Sequence, residues 1–474
     1  MKRQFSVGVA WTALSSWLEQ LFSVLTFLLI SRLIGTEALG IVSMAFAFLF
    51  LGEMMVRETI TEGIVAETEL TETRLNATFA VLALFSLAIV AALVAVAFVS
   101  ARIYGQPLVT PLLLASSPTV LMIAAGAVPA ALLRRRMEFR ALAVRATLGV
   151  VCGGLVGLTL AYAGYGAWAL VWQRLVQVGV NAVFAITAAR WRPTALPGRA
   201  DLALVRGLGP RVAALRALTL ILTQTPTVAL GIFAGPAAVG LFAFAARLAE
   251  IVQFMVARPI KVVAQSSIAA MRREGQPADG FFLDLVELAA MLGLATFTGL
   301  ALVADPAVTV LVGPAWAPAS ALLPWVCAAF AVTCITQLQE AYLLAIDRLD
   351  GFLRATLAET LLGVVLIGAC ATQGAVAASA AMALRALIGL PLRSRAALAP
   401  EGIAPARFYR ALVAPIAAAA GMAALVVLWR WTMLGGLPDP LYLATAIGIG
   451  IAGYAAIVLL AMPRLGRRLL GFVR

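Results

Sequence analysis

Histidine is absent from all 474 residues. That excludes Ser-His-Asp nucleophile chemistry, histidine proton relays and histidine metal sites. Charge is also scarce, at 12% of residues, while 63% are hydrophobic. A soluble globular chain is far less apolar than this. Only four cysteines occur, Cys152, Cys327, Cys334 and Cys370. All lie in apolar runs without metal-ligand spacing and read as small buried hydrophobes. No glycine-rich loop runs into a Lys-Ser or Lys-Thr pair, so nothing supports nucleotide hydrolysis or a cofactor. No connection between apolar runs exceeds about twenty residues, which leaves no room for a soluble catalytic domain.

What the sequence has in abundance is long apolar runs. About fourteen of them reach the ~20 residues that a helix needs to cross a bilayer. The first two cover 7–31 and 38–62, the sixth 167–189, the seventh and eighth 207–233 and 238–264, the twelfth 375–392, and the last two 409–430 and 441–462. The runs are continuous, whereas barrel strands would alternate. The expected fold is an all-α polytopic inner-membrane protein. The first run is too long for a cleavable signal peptide. The positive charge, 35 Lys and Arg against 22 Asp and Glu, follows the positive-inside rule and needs no nucleic acid partner. Alternate connections carry Arg134, Arg135, Arg136 and Arg140; Arg190, Arg192, Arg199 and Arg206; Arg272 and Arg273; Arg348 and Arg354; Arg393, Arg395 and Arg407. Lys2, Arg3 and the tail from Arg464 to Arg474 fall on the same side, so both termini are expected in the cytoplasm. The segment from Glu62 to Arg74, with Glu62, Glu67, Glu69 and Glu72, runs against this pattern, but acidic residues weigh little in the rule.

An internal repeat supplies the architecture. The stretch RLIGTEALGIVSMAFAF (Arg32–Phe48) returns as IFAGPAAVGLFAFAAR (Ile232–Arg247), with Gly35 on Gly235 and Gly40 on Gly240. A weaker echo links GAWALVWQR (Gly166–Arg174) with GAVAASAAMALR (Gly374–Arg385). An offset of six spans makes the copies parallel, related by an axis along the membrane normal, as in transporters with a site between two halves. The expected organisation is a lobe at 1–200, a second at 201–398, and a C-terminal pair of helices with a basic tail at 399–474. The glycine-bracketed stretch itself reads as a tight turn between helices on the periplasmic side.

The stretches ISRLIGTEALGIVSMAFAF, ALLRRRMEFRALAVRATLG, LAYAGYGAWALVWQRLV and LGIFAGPAAVGLFAFAARL resemble, in order and spacing, the bacterial polysaccharide exporters of the multidrug/oligosaccharidyl-lipid/polysaccharide exporter superfamily. The resemblance covers about residues 5–270 in sequence and the remainder by topology. It implies translocation of undecaprenyl-diphosphate-linked oligosaccharide to the periplasmic leaflet, by alternating access through a cationic cavity, with a lipid-tail groove at the last two spans. Membrane lipids, a polysaccharide polymerase and a chain-length regulator are the implied partners. Two departures stand out. The seventh span carries TQTPTVALGIFAG where relatives often place an acidic residue. The second span ends in RETITEGIVAETEL rather than a glycine-rich apolar turn.

Charges inside the apolar runs are costly and mark candidate sites. In the eighth span Arg247, Glu250, Arg258 and Lys261 fall on one helical face, suited to a diphosphate facing a cavity. The alternatives are an internal Arg247–Glu250 pair and snorkelling of Arg258 and Lys261. Glu53 and Arg57 in the second span form a local pair or face the same stripe. Arg174 and Arg385, at similar depths in spans six and twelve, line the cavity or tie helices together, and Arg216 is a weaker candidate. Glu19 in the first span, and Glu53, are candidates for ion coupling; the alternative for Glu19 is an arginine partner on a facing helix. The Leu132–Arg140 stretch fits topology and anionic lipid better than diphosphate docking. Trp168 and Trp172 could stack on sugars, with Trp168 better suited to the interfacial belt. Two readings compete with the flippase: a drug/cation antiporter, which would favour carboxylates over cations, and a membrane-embedded polymerase or ligase. The latter needs a sizeable charged periplasmic loop, and the longest candidate, Ala304–Ser320, holds one charge.

Overall fold

The computed structural model describes the backbone of residues 2–66, 71–195, 198, 210–346, 348–399, 402–432 and 438–461, and the side chains of 17–57, 71–195, 198, 212–346, 348–399, 402–432 and 438–459. Arg199, Arg206 and the basic tail lie outside these residues, as do the side chains of Lys2, Arg3, Glu62, Glu67 and Glu69. The described chain is helical, and thirteen of its helical segments are long and apolar enough to cross a membrane. The first, α1 (Lys2–Ala66), is two helices merged across a break at Gly35, where φ is 78° and ψ 175°. Counting its arms separately gives the fourteen spans expected from the sequence.

Two compact units follow, Met1–Gly240 and Leu241–Arg474. The first holds α1, α2 (Glu72–Tyr104), α3 (Val109–Ser116), α4 (Pro118–Arg135), α5 (Phe139–Tyr162), α6 (Ala167–Ala189), α7 (Pro210–Phe233) and the start of α8 (Pro236–Arg273). The second holds the rest of α8, α9 (Asp279–Leu302), α10 (Ala304–Val312), a 3-10 turn at Pro314–Ala321, α11 (Leu323–Ala345), α12 (Asp350–Ala371), α13 (Ala375–Leu398), α14 (Pro405–Thr432) and α15 (Asp439–Ala461). The stretch Ala304–Ser320 is therefore mostly short helix, anchored by the buried Trp316 against Phe244 with ring centroids 4.8 Å apart.

Helices in hydrocarbon associate through close packing and polar contacts, because burying apolar surface gains little there. Small residues accordingly mark the seams. In the first unit α5 packs on α6 and α1. Gly149, Gly153 and Gly157 of α5, one turn apart, receive Asn181, Gln177 and Gln173 of α6, and Gly154 receives Phe22 and Thr26 of α1. A Cβ at Gly153 would stand 2.7 Å from the Gln173 carbonyl oxygen. Arg136, in the arginine-rich connection, donates to the Ala189 carbonyl at 3.0 Å and so satisfies one of the last acceptors of α6. In the second unit α9 packs on α11 and α14, α13 on α11 and α12, and α14 on α15. Met291, Ala418 and Val458 share a core cluster there. Tyr454 donates to the Met291 carbonyl at 2.8 Å, so the last two helices are built into this unit.

The sequence repeat is a structural repeat. Gly35 and Gly235 take nearly the same left-handed φ, 78° and 83°, which glycine adopts without penalty. Residues 31–40 and 231–240 share the same succession of burial, position by position. The copies also touch. A Cβ on Gly40 would stand 1.8 Å from the Pro236 carbonyl oxygen, and one on Gly240 would stand 1.9 Å from the Thr36 oxygen. Thr36 and Pro236 are themselves equivalent positions, so the contact is reciprocal.

Candidate functional site

The half-exposed face of α8 carries Arg247, Glu250, Phe254, Arg258 and Lys261 in register, as the spacing requires. Its neighbours Ala257, Ile260, Ala264 and Ile268 form the buried face beside it. Arg247 donates to Glu250 at 3.1 Å, with both side chains about two-fifths exposed. Lys261 does not simply snorkel: it reaches Glu340 of α11 at 3.2 Å, a carboxylate only 9% exposed. Arg258 lies over the Phe254 ring at 4.6 Å and pairs with no carboxylate among the described residues. After these pairings the stripe keeps one net positive charge, and Arg258 carries it. Pro259 follows directly inside the helix. It removes one backbone hydrogen bond from the turn that presents Arg258.

Glu53 is buried to 2% exposure between three helices. Arg174 of α6 holds both its oxygens, Thr119 of α4 donates to Oε1 at 2.9 Å, and Arg57, one turn further along α1, lies at 3.9 Å. The Arg174 guanidinium also packs over Phe50, 5.4 Å from its centroid. Arg174 therefore ties α6 to α1, and Arg57 is mostly exposed. Glu19 accepts from Thr147 of α5 at 3.4 Å, and the facing helix supplies an arginine, Arg145, whose charge interacts with Glu19. Arg216 sits half-buried on α7.

Arg385 is 7% exposed and donates to Glu359 of α12 at 2.9 Å. The other Glu359 oxygen meets Arg393, which lies inside α13 rather than in a connecting loop and packs over Phe352. Gly389 makes room: a Cβ there would stand 2.4 Å from the Glu359 carboxyl carbon. One buried carboxylate is thus shared by two arginines, two helical turns apart on α13. Glu359, Glu340, Arg145 and Thr119 were not singled out from sequence. The first three sit within apolar runs, and the rule that marked Glu19 marks them equally. Among the described residues no group of acidic and cysteine side chains could hold a metal ion.

Residues 29–321 match the family model described as "Polysaccharide biosynthesis protein". The chain belongs to that family. Within it, the chain is similar to the succinoglycan biosynthesis transport protein ExoT of Rhizobium meliloti (strain 1021), 24% identical over 315 residues, 65% of this chain and 63% of that protein. The alignment thus spans less than two thirds of that relative's length. In fold, the chain is similar to the lipid II flippase MurJ in an inward closed conformation: TM-score 0.77, 13% identity, 96% of this chain and 99% of that one. It is also similar to an inward-facing MATE transporter of the MOP superfamily, with TM-score 0.59, 16% identity and coverages of 81% and 96%. The family member is an all-helical, multi-pass membrane protein of the MurJ/MATE fold.

Proposed function

We propose that this protein flips undecaprenyl-diphosphate-linked oligosaccharide repeat units from the cytoplasmic to the periplasmic leaflet of the bacterial inner membrane. The product would serve exopolysaccharide, capsule or O-antigen synthesis. The observation that carries the reading is the α8 stripe, whose net positive charge falls on Arg258 after Glu250 and Glu340 have taken Arg247 and Lys261. A guanidinium suits phosphate oxygens through its planar fork, and an unpaired charge on a spanning helix is retained for a ligand or pathway. Arg258 is the diphosphate anchor in this reading. Arg247, Glu250 and Lys261 shape the potential around it, and Glu19 and Glu53 are the carboxylates through which an ion gradient could act. The functions for which ExoT and MurJ are named, transport in succinoglycan biosynthesis and lipid II flipping, agree with it. A periplasmic polymerase and a chain-length regulator would consume the product.

The MATE likeness favours a second reading, a drug/cation antiporter. Against it, Glu53, Glu340 and Glu359 are each held by a cation, so they are poorly placed to receive a cationic drug. The test is leaflet exchange in proteoliposomes carrying the polyprenyl-diphosphate oligosaccharide. The wild-type protein should accelerate exchange, Arg258→Ala should abolish it, and Arg258→Lys should retain part. A wild-type protein that moves organic cations in exchange for protons and leaves the lipid-linked sugar in place overturns the proposal.

A further inference from the structure

One carboxylate stands beside two cations of the α8 stripe, and only one of them holds it. Arg258 and Lys261 are three residues apart, which places them about 60° around the helix and about 4.5 Å along it. Lys261 Nζ meets Glu340 Oε1 of α11 at 3.2 Å. All three residues belong to the second unit. An arginine side chain is longer than a lysine's, so a carboxylate that Lys261 reaches also lies within the sweep of Arg258. Arg258 instead turns back over Phe254, one helical turn before it, with the guanidinium carbon 4.6 Å from the ring centroid. A cation over a partly exposed ring is held weakly. Glu340, at 9% exposure, attracts a cation through a medium that screens little. Arg258 would leave the ring for that carboxylate if the ammonium were not already there. The division also suits the chemistry. An ammonium is a compact point charge, content with one carboxylate oxygen, and the fork that fits phosphate is the group left over.

We propose that Lys261 is a positioning residue: by holding Glu340 it keeps that carboxylate from capturing Arg258, and so leaves the guanidinium open to an anion. The proposal rests on the reading of Arg258 as the diphosphate anchor. It has Lys261 act through Glu340 and Arg258, without touching the transported molecule. Phe254 is where the guanidinium waits.

The first measurement needs no substrate. Reversible unfolding of the full-length protein compares Arg258→Ala in two backgrounds. In the wild type it should change the folding equilibrium constant by less than about threefold. In Lys261→Met it should lower that constant by about tenfold or more, because Arg258 then pairs with Glu340. The same change in both backgrounds overturns the capture. The second measurement is leaflet exchange of the polyprenyl-diphosphate oligosaccharide in proteoliposomes. Lys261→Met should slow it by about tenfold or more, and Lys261→Arg should keep most of the rate, since an arginine there also holds Glu340. A Lys261→Met protein that transports at the wild-type rate overturns the proposal. In the Glu340→Gln background no carboxylate remains to capture Arg258, so adding Lys261→Met should change the rate by less than about twofold. That comparison stands even where Lys261→Met alone does not fold. A loss of about tenfold there shows that Lys261 acts on the anion itself and overturns the proposal. A wild-type protein that flips no polyprenyl-linked sugar, with the unfolding result as expected, refutes the substrate assignment and leaves the capture standing.

Discussion

Neutralising Glu359 should be the most damaging single charge change in the second unit. The carboxylate, 4% exposed, is shared by Arg385 and Arg393, whose side chains are 8% and 12% exposed. Glu359→Gln keeps the shape and removes the charge, leaving two guanidiniums buried side by side with no counter-ion. Each pair, at roughly 4 Å between charge centres and an effective dielectric near 20, is worth about 4 kcal/mol of Coulomb energy. Losing a buried partner costs about 3–5 kcal/mol once the stranded charge is included. Losing the partner of two arginines at once should sit at or above the top of that range. Arg385→Met is different: it removes a cation from a cluster with one cation too many, and Arg393 still neutralises Glu359, so its cost should be about 1–2 kcal/mol. Reversible unfolding in mixed dodecyl sulfate micelles, followed by tryptophan fluorescence, measures both. If Glu359→Gln lies within about 1 kcal/mol of wild type, or Arg385→Met costs as much, the shared-carboxylate account is wrong.

Gly389→Ala puts a methyl 2.4 Å from the Glu359 carboxyl carbon; the same unfolding assay should show a loss of about 1–3 kcal/mol from overpacking. Glu53→Leu and Arg174→Met should each destabilise the first unit by about 3 kcal/mol, while the two together should cost about 1 kcal/mol, giving a coupling of about 5 kcal/mol in a double-mutant cycle. Transport by that stable double variant would show Glu53 to be structural; a stable variant that does not transport keeps it as an ion-coupling residue. Lys261→Met removes the ammonium that meets Glu340 at 9% exposure and should cost about 1–3 kcal/mol, whereas Arg258→Ala, which takes no partner from a carboxylate, should change stability by less than about 0.5 kcal/mol and act on transport alone. Glu19→Gln should weaken or abolish the response of flipping to an imposed ion gradient, read in proteoliposomes; an unchanged response removes Glu19 from the coupling path.

The sequence alone determined the class of this protein, because crossing a bilayer imposes a local rule. Every span must be a continuous apolar helix with its backbone bonds satisfied internally, and that can be read one window at a time. The repeat was legible for the same reason: the turn at Gly35 and Gly235 needs a left-handed φ, and glycine at both positions announces it. The α8 stripe was legible too, since helical period alone places Arg247, Glu250, Arg258 and Lys261 on one face. Which of those charges is left over was not. That depends on Glu340, 79 residues away in sequence, and ion pairing is decided by distance in space. Arg174 and Arg385 look alike in sequence, with buried depth as their common signal, yet each is taken by a carboxylate on another helix, Glu53 and Glu359. Gly40 and Gly240 read as helix starts after a turn. Only the packing showed that each glycine touches the backbone of the other copy, because contact between two backbones leaves no mark on either segment except the absence of a side chain.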